Sequence, residues 1–365
     1  METRGLADRP PRRGSLALVG RMSRRTRFWA ALLWLAVPGL LFLALRQVPL
    51  DRVGEVLSNL RGWQILALAL VNLAVLLLMA IRWGLLLKTL GGRASLMALL
   101  TYRLAGFGMT YVTPGPQFGG EPLQVHLLHT RQGTALETAI ASVFLDRLVD
   151  LLANFTFLAV GILTILVAGF GQDWLGPGAW LPVLALLSLP VSHLAALALG
   201  MRPAAWLLNH LAAGSRGRAG RLSSLLNRAA GLSDLAERQI GALLRNEPLT
   251  FARVLGIAAL TWLLMVFEFW LCLHFLGVTA SLAQSVSALT AARLAYLAPL
   301  PAGLGALEAS QALAAQLLGW GSAVGIAVSL VIRARDIFFA VIGLCLGGWP
   351  ALQSWLNTIF QKERM

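Results

Sequence analysis

Cysteine, tyrosine and lysine are all scarce in this chain. Of its 365 residues only two are cysteine, Cys272 and Cys345. Both lie in apolar stretches without a neighbour at bridging or metal-ligand spacing, which argues against a disulfide framework and against a zinc site. His126 and His129 stand three residues apart with no third well-placed ligand, so they read as interfacial packing rather than a metal site. No GxxxxGK[ST] loop and no G-x-S-x-G elbow occurs, so nothing marks ATP hydrolysis or a serine hydrolase, and any energy used comes from gradients. Charge is scarce as well, at 13% of residues, while 58% are hydrophobic. That is more apolar material than one soluble core needs, and it predicts a polytopic membrane protein.

The charges present are lopsided. Thirty basic residues, 28 of them arginine, face 16 acidic ones, for a net charge of +14. Eight arginines precede residue 28 and eight more fall between Arg202 and Arg253, whereas the linker 171–179 carries only Asp173. This is the positive-inside pattern, with basic segments facing the cytoplasm and anionic headgroups. Neither Arg-rich segment carries an RNA- or DNA-binding motif, which sets nucleic acid aside. The stretch MSRRTRFW at 22–29 has some likeness to a twin-arginine export signal, but the apolar run behind it reads as an uncleaved anchor.

Apolar runs at 28–45, 63–81, 151–170, 180–201 and 254–278 are each about long enough to cross ~30 Å of hydrocarbon as a helix. The expected organisation is a basic cytoplasmic tail (1–27), a first transmembrane half (28–201), a basic amphipathic helix pair on the inner membrane surface (202–253), a second transmembrane half (254–350) and a cytoplasmic tail (351–365). Arg82, Lys88 and Arg93 should reach the cytoplasm after the second span, and residue 150 should lie near that same side.

Two Gly/Pro-rich interruptions stand out, PGPQFGGE at 114–121 and PAGLGALE at 301–308. Each ends in a glutamate, Glu121 or Glu308, followed by a cluster of charges: Asp146, Arg147 and Asp150 in one half, Arg333, Arg335 and Asp336 in the other. The two glutamates are 187 residues apart. Broken helices at corresponding places in two membrane halves mark a substrate site, because unwound backbone at membrane depth survives only where protein or a wet cavity satisfies it. The fold expected is therefore all-α, a helical bundle with re-entrant hairpins near 95–135 and 282–319, entering from opposite faces as an inverted repeat.

Charges at membrane depth cost about 2.5 to 3.5 kcal/mol each on insertion scales, so these residues and Glu268 need partners or water and should face one cavity. Arg147 at i, i+3 from Asp150 suggests a pair on one helix. Arginine suits phosphate through its bidentate fork, so Arg147 with Arg333 or Arg335 is a candidate phosphate clamp. Gly119, Gly120, Gly303 and Gly305 let a substrate approach backbone amides, while Glu121 and Glu308 would gate, hold the arginines or exchange a proton. The alternative for each charge is plain ion pairing between helices.

PGPQFGGE with DRLVD at 146–150, and PAGLGALE with VIRARD at 331–336, resemble the flippase-like transmembrane family related to the membrane region of lysylphosphatidylglycerol synthases. The resemblance extends over residues 28–350 and includes Arg82-Trp83, while Phe118 and Pro122 set the first turn apart. It implies a bacterial or archaeal inner-membrane protein that moves a lipid or lipid-linked headgroup between leaflets, without cofactor. Some such proteins carry a cytosolic aminoacyl-transferase domain; here 16 residues follow Trp349, and lipid synthesis is not expected. The competing functions are an enzyme using the same carboxylates on a lipid headgroup and a non-catalytic membrane scaffold.

Overall fold

The computed structural model describes residues 50–58, 60–112, 119–169, 178, 180–214, 220–298, 300 and 303–348. The expected tail 1–27, the span 28–45, nearly all of the linker 171–179, the tail 351–365 and the proline-containing parts of both motifs lie outside these residues. Among the described residues no strand occurs. The helices are α1 (Leu50–Ser58), α2 (Gly62–Thr89), α3 (Leu96–Val112), α4 (Glu121–Gln132), α5 (Leu136–Val167), α6 (Trp180–Ala198), α7 (Pro203–Gly214), α8 (Gly220–Asn246), α9 (Pro248–Phe275), α10 (Leu282–Ala295), α11 (Ala306–Leu317) and α12 (Ser322–Gly343), with a π turn at Leu344–Gly348.

Among them α2, α5 and α9 are long and apolar enough to cross a membrane, and a fourth crossing results if Leu184–Ala198 and Pro203–Gly214 form one bent span. Trp63, Leu66, Val167, Leu181 and Leu263 are exposed on these helices, which suits a hydrocarbon solvent rather than water. Trp63 at the start of α2 meets Phe275 at the end of α9 edge-on at 5.2 Å, so the two helices run antiparallel.

The sequence placed a span at 151–170, but α5 begins at Leu136. Thr138, Ser142 and Asp146 lower the hydropathy of its first half, yet all three are buried against protein, where lipid solvation is irrelevant. Arg147 and Asp150 consequently sit in mid-helix, not at its end. Arg82 is 1% exposed and enclosed by protein, on a helix that continues past the apolar run to Thr89.

Helices α2 and α9 pack together, α3 packs on α12, and α5 on α10. Small residues let these backbones close up. A Cβ at Gly343 would lie 1.8 Å from the Leu104 carbonyl oxygen of α3, and one at Gly161 would lie 1.9 Å from Thr290 Oγ1 of α10.

The helix pair read from the basic segment is α7 and α8. A 96° bend separates α7 from α6. Side chains from α8 fix both ends of that elbow: Arg245 NH1 donates to the Leu197 and Ala198 carbonyls at 3.4 and 3.2 Å. Buried Glu237 accepts from the Ala204 and Ala205 amides at 2.9 and 3.0 Å. These contacts satisfy orphan groups at a helix C-terminus and N-terminus. The apolar residues Ala236, Ile240 and Leu243 of α8 join a core with Leu145, Leu148, Leu194 and Leu197, so this stripe packs on protein. Trp206, Leu207 and Leu211 of α7 face outward.

Candidate functional site

The two glycine breaks build the same local device. Where α4 begins, the Gly120 amide donates to Thr110 Oγ1 and the Gly119 amide to Glu121 Oε2, both at 2.9 Å. A Cβ at Gly120 would lie 2.0 Å from the Gly106 carbonyl oxygen, so only glycine lets the turn close on α3. Glu121 Oε1 then forms an ion pair with Arg147 Nε of α5 at 3.3 Å. Where α11 begins, the Gly305 amide donates to Glu308 Oε2 at 2.8 Å, closing the turn as a capping carboxylate at the third helical position does. Gly303 and Gly305 have φ of 63° and 79°, a region that penalises any side chain. Arg333 of α12 grips Glu308 bidentately at 2.8 and 3.2 Å and also donates to the Gly303 carbonyl at 3.0 Å.

The copies differ in exposure. Side chains of Arg147 and Glu121 remain 25% and 27% exposed, whereas those of Arg333 and Glu308 are 7% and 5% exposed. The first pair borders open space; the second is sealed.

Two further charge clusters flank them. Asp146 and Asp150, one turn apart on α5, face α2 and α3. Arg82 donates to Asp146 at 2.8 Å and to Asp150 at 2.6 Å. Arg103 forms a salt bridge with Asp146 and lies 3.9 Å from Asp150. Asp150 is thus held by the tertiary neighbours Arg82 and Arg103, with Arg147 of the same helix nearby and ion-paired to Glu121. In the second cluster, Arg335 binds Glu268 of α9 and the adjacent Asp336, each at 2.9 Å. Asn72 Nδ2 donates to Glu268 at 3.1 Å, and the Tyr296 hydroxyl donates to Asp336 at 3.1 Å.

These clusters surround a cavity of about 300 Å³. Glu121, Arg147 and Asp150 line it from one half, and Glu268, Arg335 and Asp336 from the other, as do Gly120 and Gly303. Phe107, Phe269 and Phe339 supply apolar wall. Gly119, Gly305, Glu308 and Arg333 are not among the residues that line the cavity. A clamp of Arg147 with Arg333 is therefore not assembled, because Arg333 is committed to Glu308 in protein interior.

Sequence reasoning passed over Arg103, Arg293, Tyr296 and Asn72, all of which line the cavity. The available signal was a lone polar residue inside an apolar helix, which at membrane depth is a site candidate by itself. His126 and His129 are not among the residues that line this cavity; His129 Nδ1 lies 2.9 Å from the Thr134 carbonyl oxygen just beyond α4. Cys272 is buried and Cys345 exposed, on separate helical segments.

Similarity to known proteins agrees with a membrane bundle of this kind. A family model described as the lysylphosphatidylglycerol synthase TM region matches residues 18–343. Two proteins of Methanothermobacter thermautotrophicus, each named a UPF0104 membrane protein, are similar to the chain. One is 31% identical over 124 residues, 33% of either chain. The other is 24% identical over 283 residues, covering 74% of this chain and 80% of the relative. The chain thus spans a third of the first relative's length and four fifths of the second's. No solved structure matches the chain. With the match running through both glycine breaks and both charged clusters, the chain is a multi-pass membrane protein that belongs to the family of the lysylphosphatidylglycerol synthase transmembrane region.

Proposed function

We propose that this protein moves a phosphate-bearing lipid, or a lipid-linked headgroup, between the leaflets of the cell's inner membrane. The observation that carries the reading is the cavity itself, a charged chamber walled by both halves of an otherwise apolar bundle. Charged groups on lipid-spanning helices are tolerated where they face one another or a polar cargo. The polar head travels through the chamber while its acyl chains stay in lipid. Glu121 and Arg147, half-exposed to the chamber, form the gate that opens as the head passes. Glu308 and Arg333 hold the second broken turn in shape.

An inverted repeat fits this role. Pairing α3, α4 and α5 with α10, α11 and α12 maps the α3–α12 contact onto the α10–α5 contact, while α2–α9 maps onto itself. Such reciprocal packing accompanies a two-fold relation between halves. In this reading the glycine turns at Gly119–Gly120 and Gly303–Gly305 belong to re-entrant hairpins that enter from opposite faces. The exposed Arg228 and Arg238 of α8 then face the cytoplasm, and the outward-facing Trp206, Leu207 and Leu211 of α7 lie in the interface beside anionic headgroups.

The test is leaflet exchange. Liposomes containing the purified chain and a fluorescently labelled phosphatidylglycerol are treated with a membrane-impermeant quencher. Translocation gives complete loss of signal with no change in lipid mass, against half loss in protein-free liposomes. A new lipid species points to the enzyme instead. Exchange no greater than in protein-free liposomes, with function in cells left intact by Glu121→Gln and Arg147→Ala, points to the scaffold.

A further inference from the structure

The cavity's arginines are not equivalent. Arg103 is engaged by Asp146, Arg147 by Glu121, and Arg335 by Glu268 and Asp336. Arg293 differs. Among the described residues no carboxylate lies within 4.0 Å of it, and its Nε is buried without a hydrogen-bond partner. Its neighbours are soft and uncharged: the guanidinium lies 4.8 Å over the Trp262 ring, and NH2 lies 3.3 Å from Met265 Sδ. Trp262 is in turn stacked on Phe157 at 4.5 Å. Arg293 on α10 is thus the end of a stack that continues through α9 to α5.

Stacking holds the face of a guanidinium and leaves its N–H edge for a ligand, which is the geometry arginine uses for phosphate. Arg335 is shared by two carboxylates, Glu268 and Asp336. Neither carboxylate is within salt-bridge distance of Arg293, so its donors stay unoccupied by that cluster.

We infer that Arg293 is the residue of the cavity that recognises an anion, specifically the phosphate of a phosphodiester or phosphomonoester, with Trp262 as the residue that positions it. For a lipid cargo this rests on the translocation reading above; for the bare anion it does not. A head that displaces no carboxylate binds without breaking an ion pair, whereas binding at Arg147 or Arg335 would first have to separate one.

The experiment measures affinity of the full chain in detergent for two probes, dihexanoyl phosphatidylglycerol and glycerol 1-phosphate, by tryptophan fluorescence and calorimetry. Arg293→Ala should weaken binding by about tenfold to a hundredfold, the loss expected for charge-assisted hydrogen bonds. Arg293→Lys, which keeps the charge but not the fork or the stack, should lie between the two. Trp262→Phe should reduce affinity less than Arg293→Ala and abolish most of the fluorescence response. Arg238→Ala, on the exposed face of α8, should bind as the parent does. Binding of both probes assigns the site to the phosphate, and binding of the lipid alone assigns it to the headgroup with its chains. Arg293→Ala with parental affinity and parental thermal stability overturns the inference, as does failure of the parent to bind either probe. If Arg293→Ala does not fold, Arg293→Lys and Arg293→Gln decide it, and parental affinity in both overturns it. Parental binding without leaflet exchange removes the translocation reading and leaves the anion site standing. Leaflet exchange that Arg293→Ala leaves intact does the reverse.

Discussion

Glu308 and Glu121 occupy matching turns, yet their surroundings give them different weight. Glu308 is 3% exposed and holds the buried Arg333 with both oxygens. Removing one partner of a buried pair strands a charge, at about 3 to 5 kcal/mol. Glu308→Gln should therefore lower the melting temperature in detergent sharply. Glu121→Gln, at a half-exposed pair, should cost under ~1 kcal/mol and shift melting little. Equal shifts in scanning fluorimetry would show that the two turns are not loaded as described. Asp234 on α8 makes a second residue-level prediction. A hydrogen bond from Arg202 at 2.5 Å, with Arg238 nearby, holds its carboxyl below the ordinary value of 3.8. A carboxylate depressed in the folded state contributes stability above its unfolded value and loses it as pH falls through the lowered one. Stability should drop on acidification below about pH 4, and Asp234→Asn should flatten that part of a melting-versus-pH curve.

Helix α5 illustrates what can and cannot be read along the chain at the scale of elements. The spacings from Glu121 to Arg147 and from Glu308 to Arg333 were legible, because a glycine turn, a helix head and the next helix follow in sequence. Arg82 with Asp146, and Arg335 with Glu268, were not legible, since the partners are 64 and 67 residues apart and meet only through packing. Hydropathy ends the apolar run near Arg82, whereas hydrogen bonding carries α2 on to Thr89 and leaves Arg82 buried within the helix. Arg293 escaped notice for a related reason: its partners are an aromatic ring and a thioether, which form no motif. At this scale the crossing of α3 and α12 is the most constrained contact. Gly343→Ala sets a methyl against the Leu104 carbonyl, so the helices must part, and a loss of several kcal/mol is expected. Gly54→Ala, where an added Cβ meets nothing within 4 Å, is the matched control. Comparable yield and melting of the two variants would contradict the close approach.

For the whole molecule, the antiparallel α2 and α9 fix relative orientation. The end of α8 leads into α9, so the proposed topology sets exposed positions on α8 and the exposed turn after α9 on opposite sides of the membrane. In a chain with Cys272→Ala and Cys345→Ser, Arg228→Cys should react with an impermeant maleimide only from the cytoplasmic side. Thr279→Cys should react only from the other side. Labelling of both from one side would break the topology on which the proposed route depends.

The fit of Gly343 against Leu104 limits how this bundle can change shape. With backbone lying on backbone and no side chain between, neither helix can slide along the other without lifting off it. A motion that keeps the contact has to rock about that crossing as a hub, with the largest displacements at the far ends of α3 and α12. Since α3 carries Phe107 and Thr110, and α12 carries Arg335 and Asp336, a small tilt there shifts the two walls of the chamber against each other.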